Sequence, residues 1–388
     1  MAKIFKTLYL RVKLSPGVSA LYSSVIIDQI GSGLVGLFMP VFLLEKFGRI
    51  EYVLLYYFLL YGCYAGLAPV GAKIMSIIGL KRAMILSVPF KVVFYLCLFY
   101  LARGYPIVVF APLMVAALEI RLALFWIPYH TNFARFTDKR NRGRVIAFLS
   151  SVSSLTSIAI PVIAGWVIAN YDFEVLFMLV MLLVGISVVP LFLLKPTYEK
   201  FSFSFGQTWQ NLFGRKFRRM FWSNFADGIE NMIGAIIWPI VIFQLLQGDF
   251  LAVGAISSLI VFFSVALRMA VGSYTDKFDK RKLMRYGSVL YSLGWLFKVF
   301  VVTSFQIFVV SAYHSFAAIM MRTPFDALMY EKTADAGHYV DELTVLREMA
   351  LNLGRCFCIA ILFILINLIG LQWTFILAGI ASLFVNLI

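Results

Sequence analysis

The chain has 388 residues, 62% of them hydrophobic and 14% charged, with a formal net charge of +15. A soluble domain has about a quarter of its residues charged, so this composition excludes an ordinary water-facing surface. The cations alternate with apolar stretches instead of clustering with stacking aromatics, which excludes a nucleic-acid interface.

In chain order, apolar runs near residues 18–44, 51–75, 83–102, 106–131, 144–170 and 173–194 are followed by runs near 219–246, 250–274, 284–303, 305–330, 343–369 and 371–388. Each is about as long as the roughly 20 residues that one bilayer crossing needs. The pattern predicts an all-α membrane protein of twelve transmembrane helices. Lys3, Lys6, Arg11 and Lys13 precede the first run, and further cations fill every second loop: Lys81 and Arg82, Arg140 and Arg142, Lys195 to Arg219, Lys277 to Arg285, and Lys332. The opposite loops hold only Lys46, Arg49 and Arg103. This positive-inside asymmetry predicts a multi-pass inner or plasma membrane protein with both termini cytoplasmic.

Cys63, Cys97, Cys356 and Cys358 all fall inside predicted spans, and with three scattered histidines there is no metal-binding constellation. Gly31-Ser-Gly33-Leu-Val-Gly36 fits a dinucleotide-binding fingerprint but lies within an apolar span, where it predicts close helix packing. No cofactor is expected. No Walker-type loop occurs, which argues against an ATP-driven pump.

An offset of 199 positions aligns the two halves of the chain: Ser24 with Ser223, Asp28 with Asp227, Pro40 with Pro239, and Lys81-Arg82 with Lys280-Arg281. The expected organisation is an N-terminal six-helix half (1–194), a cytoplasmic linker (195–218) and a C-terminal six-helix half (219–388). Six spans per half make the repeat parallel, about an axis normal to the membrane.

The loop Gly272-Ser-Tyr-Thr-Asp276-Lys-Phe-Asp-Lys280-Arg281 has the form Gly-x-x-x-Asp-Lys-x-x-Lys-Arg. Its counterpart keeps Gly79, Lys81 and Arg82, with Ser76 or Ile77 in place of the acid. Leu118-Glu-Ile-Arg121 places an arginine in span four, and Ile160-Pro161-Val-Ile-Ala164-Gly165 gives span five a Pro/Gly signature. Along its whole length the sequence resembles the major facilitator superfamily, and span five resembles that of its proton-coupled drug antiporters. Asp279 stands where the family's loop usually has a second glycine. The resemblance implies that Gly272, Asp276, Lys280 and Arg281, with Gly79, Lys81 and Arg82, form a cytoplasmic gate. It also implies that spans one, four, seven and ten line a central cavity.

An ionised side chain at the bilayer centre costs about 2.5–3.5 kcal/mol or more, so each one needs a reason. Lys91, Arg268 and Lys298 lie near span ends, where snorkelling is expected. The deep set is Asp28, Glu119, Arg121, Asp227, Glu230, Arg322, Asp326 and Arg355. Asp227 and Asn231 share one helical face with Glu230 beside them. Arg322 and Asp326 are spaced to pair within their own helix. Asp28, Arg121, Asp227, Glu230, Asn231, Arg322, Asp326 and Glu119 are therefore the candidate substrate- and proton-binding residues, with Asp28–Arg121 the preferred proton-switching pair.

The expected function is secondary transport of a small organic solute by alternating access, with proton-coupled efflux from a monomer in the lipid bilayer as the leading form. The alternatives are uptake of an organic anion or nutrient with a cation, a lipid flippase, and a membrane-embedded transferase, for which only His130 is placed. No catalytic residue is expected.

Overall fold

Lipid offers no partner for backbone N–H and C=O groups, so each crossing must satisfy its own backbone, and among the described residues all regular structure is helical. The structure is a computed structural model. It describes residues 16–136, 142–275, 279–335 and 340–387, except for the side chains of 130, 132–151, 271–275 and 329–340.

The first crossing is broken: α1 (Pro16–Gly36) gives way to α2 (Met39–Phe47), with Pro40 in the first turn of the second piece. Proline is tolerated there because the N–H it lacks would have no intrahelical partner. Next come α3 (Ile50–Ile78), α4 (Leu80–Ala102), α5 (Ile107–Phe136) and α6 (Arg142–Ser187). Helix α6 contains two crossings, separated at Asp172 by non-helical backbone (φ 66°, ψ 172°). A 3₁₀ turn (Val189–Leu193) and the short α7 (Phe205–Leu212) lead into the second half. Its first crossing is broken at the matching place, as α8 (Arg218–Met232), a π turn (Ile233–Ile237) and α9 (Trp238–Leu245), again with proline, Pro239, in the first turn of the last piece. Then follow α10 (Phe250–Thr275), α11 (Lys280–Val299), α12 (Ser304–Asp335), α13 (Val340–Ile369) and α14 (Phe375–Phe384).

Among the described residues, nine helical segments are long and apolar enough to cross a membrane. One of them, Val152–Leu193, is 42 residues long and crosses twice about Asp172. Helix α11 escapes the count because its first turns carry Lys280, Arg281, Lys282 and Arg285, and the last crossing because Gln372–Leu387 is short. With these, the fold is twelve transmembrane helices in two pseudo-symmetric six-helix bundles.

The same packing recurs in both bundles. Helix α1 lies on α6 and α4 on α5; in the second bundle α8 lies on α13 and α11 on α12. The aligned serines make the same hydrogen bond: Ser24 Oγ donates to the Ser187 carbonyl at 2.6 Å, and Ser223 Oγ to the Val385 carbonyl at 2.7 Å. The bundles meet where α3 packs on α13 and α6 on α10. The second contact is backbone-close: a Cβ on Gly165 would sit 2.3 Å from the Phe250 carbonyl oxygen, and one on Gly254 2.4 Å from that of Pro161. Gly31 faces Val180 and Leu183 of α6 at 3.5 Å and Gly33 faces Ile160 at 3.2 Å, so these two fingerprint-like glycines serve helix packing, while Gly36 has nothing within 4 Å.

Candidate functional site

Two buried ionic clusters lie inside the bundles. In the first, Asp28 of α1 receives cations from two other helices. Lys91 of α4 donates to Asp28 Oδ1 at 2.7 Å and to Ser32 Oγ at 2.6 Å. Arg121 of α5 lies 3.3 Å from the same oxygen, donates to Ser87 Oγ at 3.2 Å, and stacks on the Phe125 ring at 3.4 Å. The three are 8%, 7% and 4% exposed. Lys91 therefore does not snorkel: its stem runs inward, because Asp28 offers a charge partner nearer than water.

In the second cluster, Arg322 of α12 forms ion pairs with both Asp227 and Glu230 of α8. Residues three apart on a helix share a face, so one guanidinium spans both carboxylates. Tyr291 of α11 donates to Glu230 Oε1 at 2.6 Å, and His314 of α12 stacks on Tyr291 with ring centroids 4.1 Å apart. Lys298 of α11 is buried between two indoles, 3.8 Å from the Trp295 ring centre and 4.7 Å from that of Trp238. Cation–π contact holds it there in place of the expected snorkelling. Arg322 reaches across to α8, so the expected pair with Asp326 inside α12 is not made, and Asp326 is exposed. Asn231 accepts from Arg355 of α13 at 2.7 Å, and the Arg355 guanidinium lies 4.6 Å from the Tyr61 ring of α3 in the other bundle.

Glu119 stands apart from both clusters. Two residues before Arg121, it points about 200° away around α5. It lines a groove between α3 and α5, with neither carboxylate oxygen hydrogen-bonded to a described residue. Arg268 is exposed on α10.

The gate residues divide. Gly79 turns the chain from α3 into α4 at φ 85°, and a Cβ there would meet the Tyr198 ring at 2.9 Å. Leu80 N donates to the Thr197 carbonyl at 2.9 Å and Lys81 Nζ to that of Phe192 at 2.6 Å, so this loop holds the segment after the sixth crossing. Arg82 lines a small cleft with Pro196. In the second loop Gly272 lies in α10, Asp276 falls outside the described residues, and Lys280 and Arg281 open α11. Asp279 caps that helix, its side chain accepting from Lys282 N at 2.8 Å, which accounts for an acid where a glycine is usual. In span five, Ser153 donates to Gln29 Oε1 of α1 at 2.8 Å, while Ser157 bonds back to its own helix at Ser154.

Sequence reasoning missed Lys91, Lys298, Tyr291 and His314 as cluster members. The signal was available for the lysines: each sits in the third crossing of its half, but at positions that the offset of 199 does not align.

Twelve apolar crossings in two similar bundles, with ionic clusters inside them, define a multi-pass α-helical membrane protein. The chain belongs to the Major Facilitator Superfamily, whose sequence model matches residues 21–246. It is 27% identical over 277 residues to the uncharacterized protein YqgE of Bacillus subtilis (strain 168), covering 66% of this chain and about 61% of that relative's length. In fold it is similar to the crystal structure of a POT family transporter in complex with 5-aminolevulinic acid, with a TM-score of 0.71 over 95% of this chain and 94% of that one, at 12% identity.

Proposed function

We propose that the protein is a secondary active transporter that carries a small organic anion together with a proton by alternating access. The observation that carries this reading is the Asp28 cluster, in which one carboxylate is shared by two cations drawn from different helices. With all three groups ionised the cluster holds one positive charge in excess. Protonating Asp28 leaves Lys91 and Arg121 free to take a carboxylate or phosphate, and deprotonation lets Asp28 displace that anion. Proton and solute then bind and leave together.

In this reading residues 1–194 and 219–388 rock about the α3–α13 and α6–α10 contacts, and residues 195–218 tether them on the cytoplasmic side. The loops around Gly79 and Gly272 close that side. The second cluster, in which Arg322 balances Asp227 and Glu230 within the C-terminal half, serves as a structural counterweight to the first. In this reading the monomer is the transporting unit. The POT family transporter of similar fold is in complex with 5-aminolevulinic acid, whose carboxylate is the kind of group that Lys91 and Arg121 would take.

A second reading, proton-coupled efflux, rests on the resemblance of the span-five stretch Ile160-Pro161…Gly165, which lies on the α6–α10 contact, to that of the proton-coupled drug antiporters.

The test is uptake into proteoliposomes under an imposed proton gradient, with a panel of small mono- and dicarboxylates and a lumenal pH dye. At least one anion should be concentrated with proton entry. Asp28→Asn should keep solute exchange but lose concentration against a gradient. Full concentrative transport by Asp28→Asn would sink the assignment, and proton exit on substrate entry would favour efflux.

A further inference from the structure

Glu119 is 3% exposed, and neither of its carboxylate oxygens has a hydrogen-bond partner among the described residues. The Tyr56 hydroxyl, on the facing helix, is buried and unpartnered in the same way. Buried polar atoms are almost always satisfied, so two orphans facing one groove mark a place where something else supplies the partner.

Both line one groove between α3 and α5, with a volume of about 820 Å³. Its walls are regular helical stripes, with Tyr52, Leu55, Leu59 and Cys63 on one side and Ala111, Val115 and Ala116 on the other. Leu55, Leu59 and Val108 are exposed, so the groove opens sideways, toward lipid. It begins at the turn between α2 and α3, where Phe47 and Tyr52 lie, and runs inward. Glu119 is twelve residues into α5, which at 1.5 Å per residue puts it about 18 Å deep, near the middle of a hydrocarbon core about 30 Å thick.

We infer that this groove is a lateral binding site for a lipophilic organic cation of delocalised charge, entering from the membrane and held by Glu119. Charge placement selects the occupant. A phospholipid keeps its charge at the membrane surface and would bring only hydrocarbon to Glu119. A compact, strongly hydrated cation would not reach that depth. A cation whose charge is spread over aromatic or alkyl groups does reach it, pairs with the carboxylate, and offers its apolar body to the walls. Phe47, Tyr52 and Tyr56 give the groove an aromatic lining from its mouth inward. The volume lies within the range of drug-sized ligand pockets. None of the lining side chains is cationic, so no group of the protein competes for Glu119 there. The site is separate from the Asp28 cluster and does not depend on the transport reading.

The probe is tetraphenylphosphonium, with binding measured by equilibrium dialysis on the purified full chain in lipid nanodiscs. Saturable binding at one site per chain is expected, at least about tenfold weaker in Glu119→Gln and within about threefold of wild type in Glu119→Asp. Ala116→Trp, which fills the groove and keeps the acid, should also lose binding, and unchanged thermal unfolding of each variant certifies its fold. Asp28→Asn should bind normally. Wild-type binding by Glu119→Gln, equal binding of the neutral triphenylphosphine oxide, or loss of binding in Asp28→Asn but not in Glu119→Gln would each overturn the inference.

Discussion

Lys91 donates to Asp28 across 2.7 Å from a position in α4 as buried as the carboxylate that receives it. Arg121 shares that carboxylate, so the two cations are not equivalent to the acid in what their loss leaves behind. Lys91→Met leaves Asp28 paired with Arg121. Asp28→Ala strands two buried cations.

Breaking a buried pair from one side costs about 3–5 kcal/mol. Asp28→Ala should fall at or above that range and Lys91→Met well below it, as read by thermal unfolding in detergent. Asp28→Ala with Lys91→Met should be more stable than Asp28→Ala alone. If Lys91→Met unfolds at least as readily as Asp28→Ala, Arg121 is not compensating the acid.

In the second cluster the order reverses, because one cation serves two acids. Arg322→Ala leaves Asp227 and Glu230 facing each other without their shared ion-pair partner. It should be the most destabilising single change in that cluster, again by about 3–5 kcal/mol. Arg322→Lys should recover only part of this, since an ammonium cannot present two N–H groups in a fixed fork. Adding Glu230→Gln to Arg322→Ala should recover more. Failure of that double change to raise the unfolding temperature would mean that the acids do not share the arginine.

Much of this was legible beforehand. Hydropathy gave the crossings because a membrane imposes one length on every helix, and Pro40 and Pro239 set the register of the repeat; the matching breaks beside them, in α1–α2 and α8–α9, were not legible, since each run reads as one unbroken span. The partners of the charges were not legible. Distance from a span end suggested that Lys91 and Lys298 reach water, but side-chain direction is set by what lies on the neighbouring helix, here Asp28 in one case and Trp238 in the other. Spacing alone likewise paired Arg322 with Asp326, whereas two acids on α8 attract it more strongly than one on its own helix. Glu119 and Arg121 both stood among the candidate binding residues as deep charges, and helical periodicity places them on opposite faces of α5.

The α8–α13 crossing is a backbone contact with no room for a side chain. A Cβ on Gly228 would lie 2.0 Å from the Leu351 carbonyl oxygen, and one on Gly354 2.0 Å from that of Phe225. Gly66 of α3 has nothing within 4 Å. Gly228→Ala and Gly354→Ala should each cost about 1–3 kcal/mol or more through overpacking, while Gly66→Ala should be neutral or slightly stabilising. Comparable unfolding temperatures for Gly228→Ala and Gly66→Ala would contradict so close a crossing.

The segment between the bundles is held by an acid from the second one. Glu342, at the start of α13, accepts from Ser202 N at 2.9 Å and also from the Ser202 hydroxyl. Beside them Phe201 and Leu212 pack with Met75 of α3 and Leu346 and Met349 of α13, so the contact joins both bundles. Hydrogen bonds to a charged group contribute about 1.5–3 kcal/mol each, and about 1.4 kcal/mol is tenfold in an equilibrium. Glu342→Ala removes two such bonds and should therefore raise the open population of residues 195–204 by roughly a hundredfold or more. Lys195 and Lys200 are exposed there, and cleavage by trypsin follows the open population when opening is fast. Limited trypsinolysis should cut Glu342→Ala between the bundles at least about tenfold faster than wild type, with both bundles otherwise intact. An unchanged cleavage rate would mean that the bonds from Leu80 to Thr197 and from Lys81 to Phe192 hold the segment without help from α13.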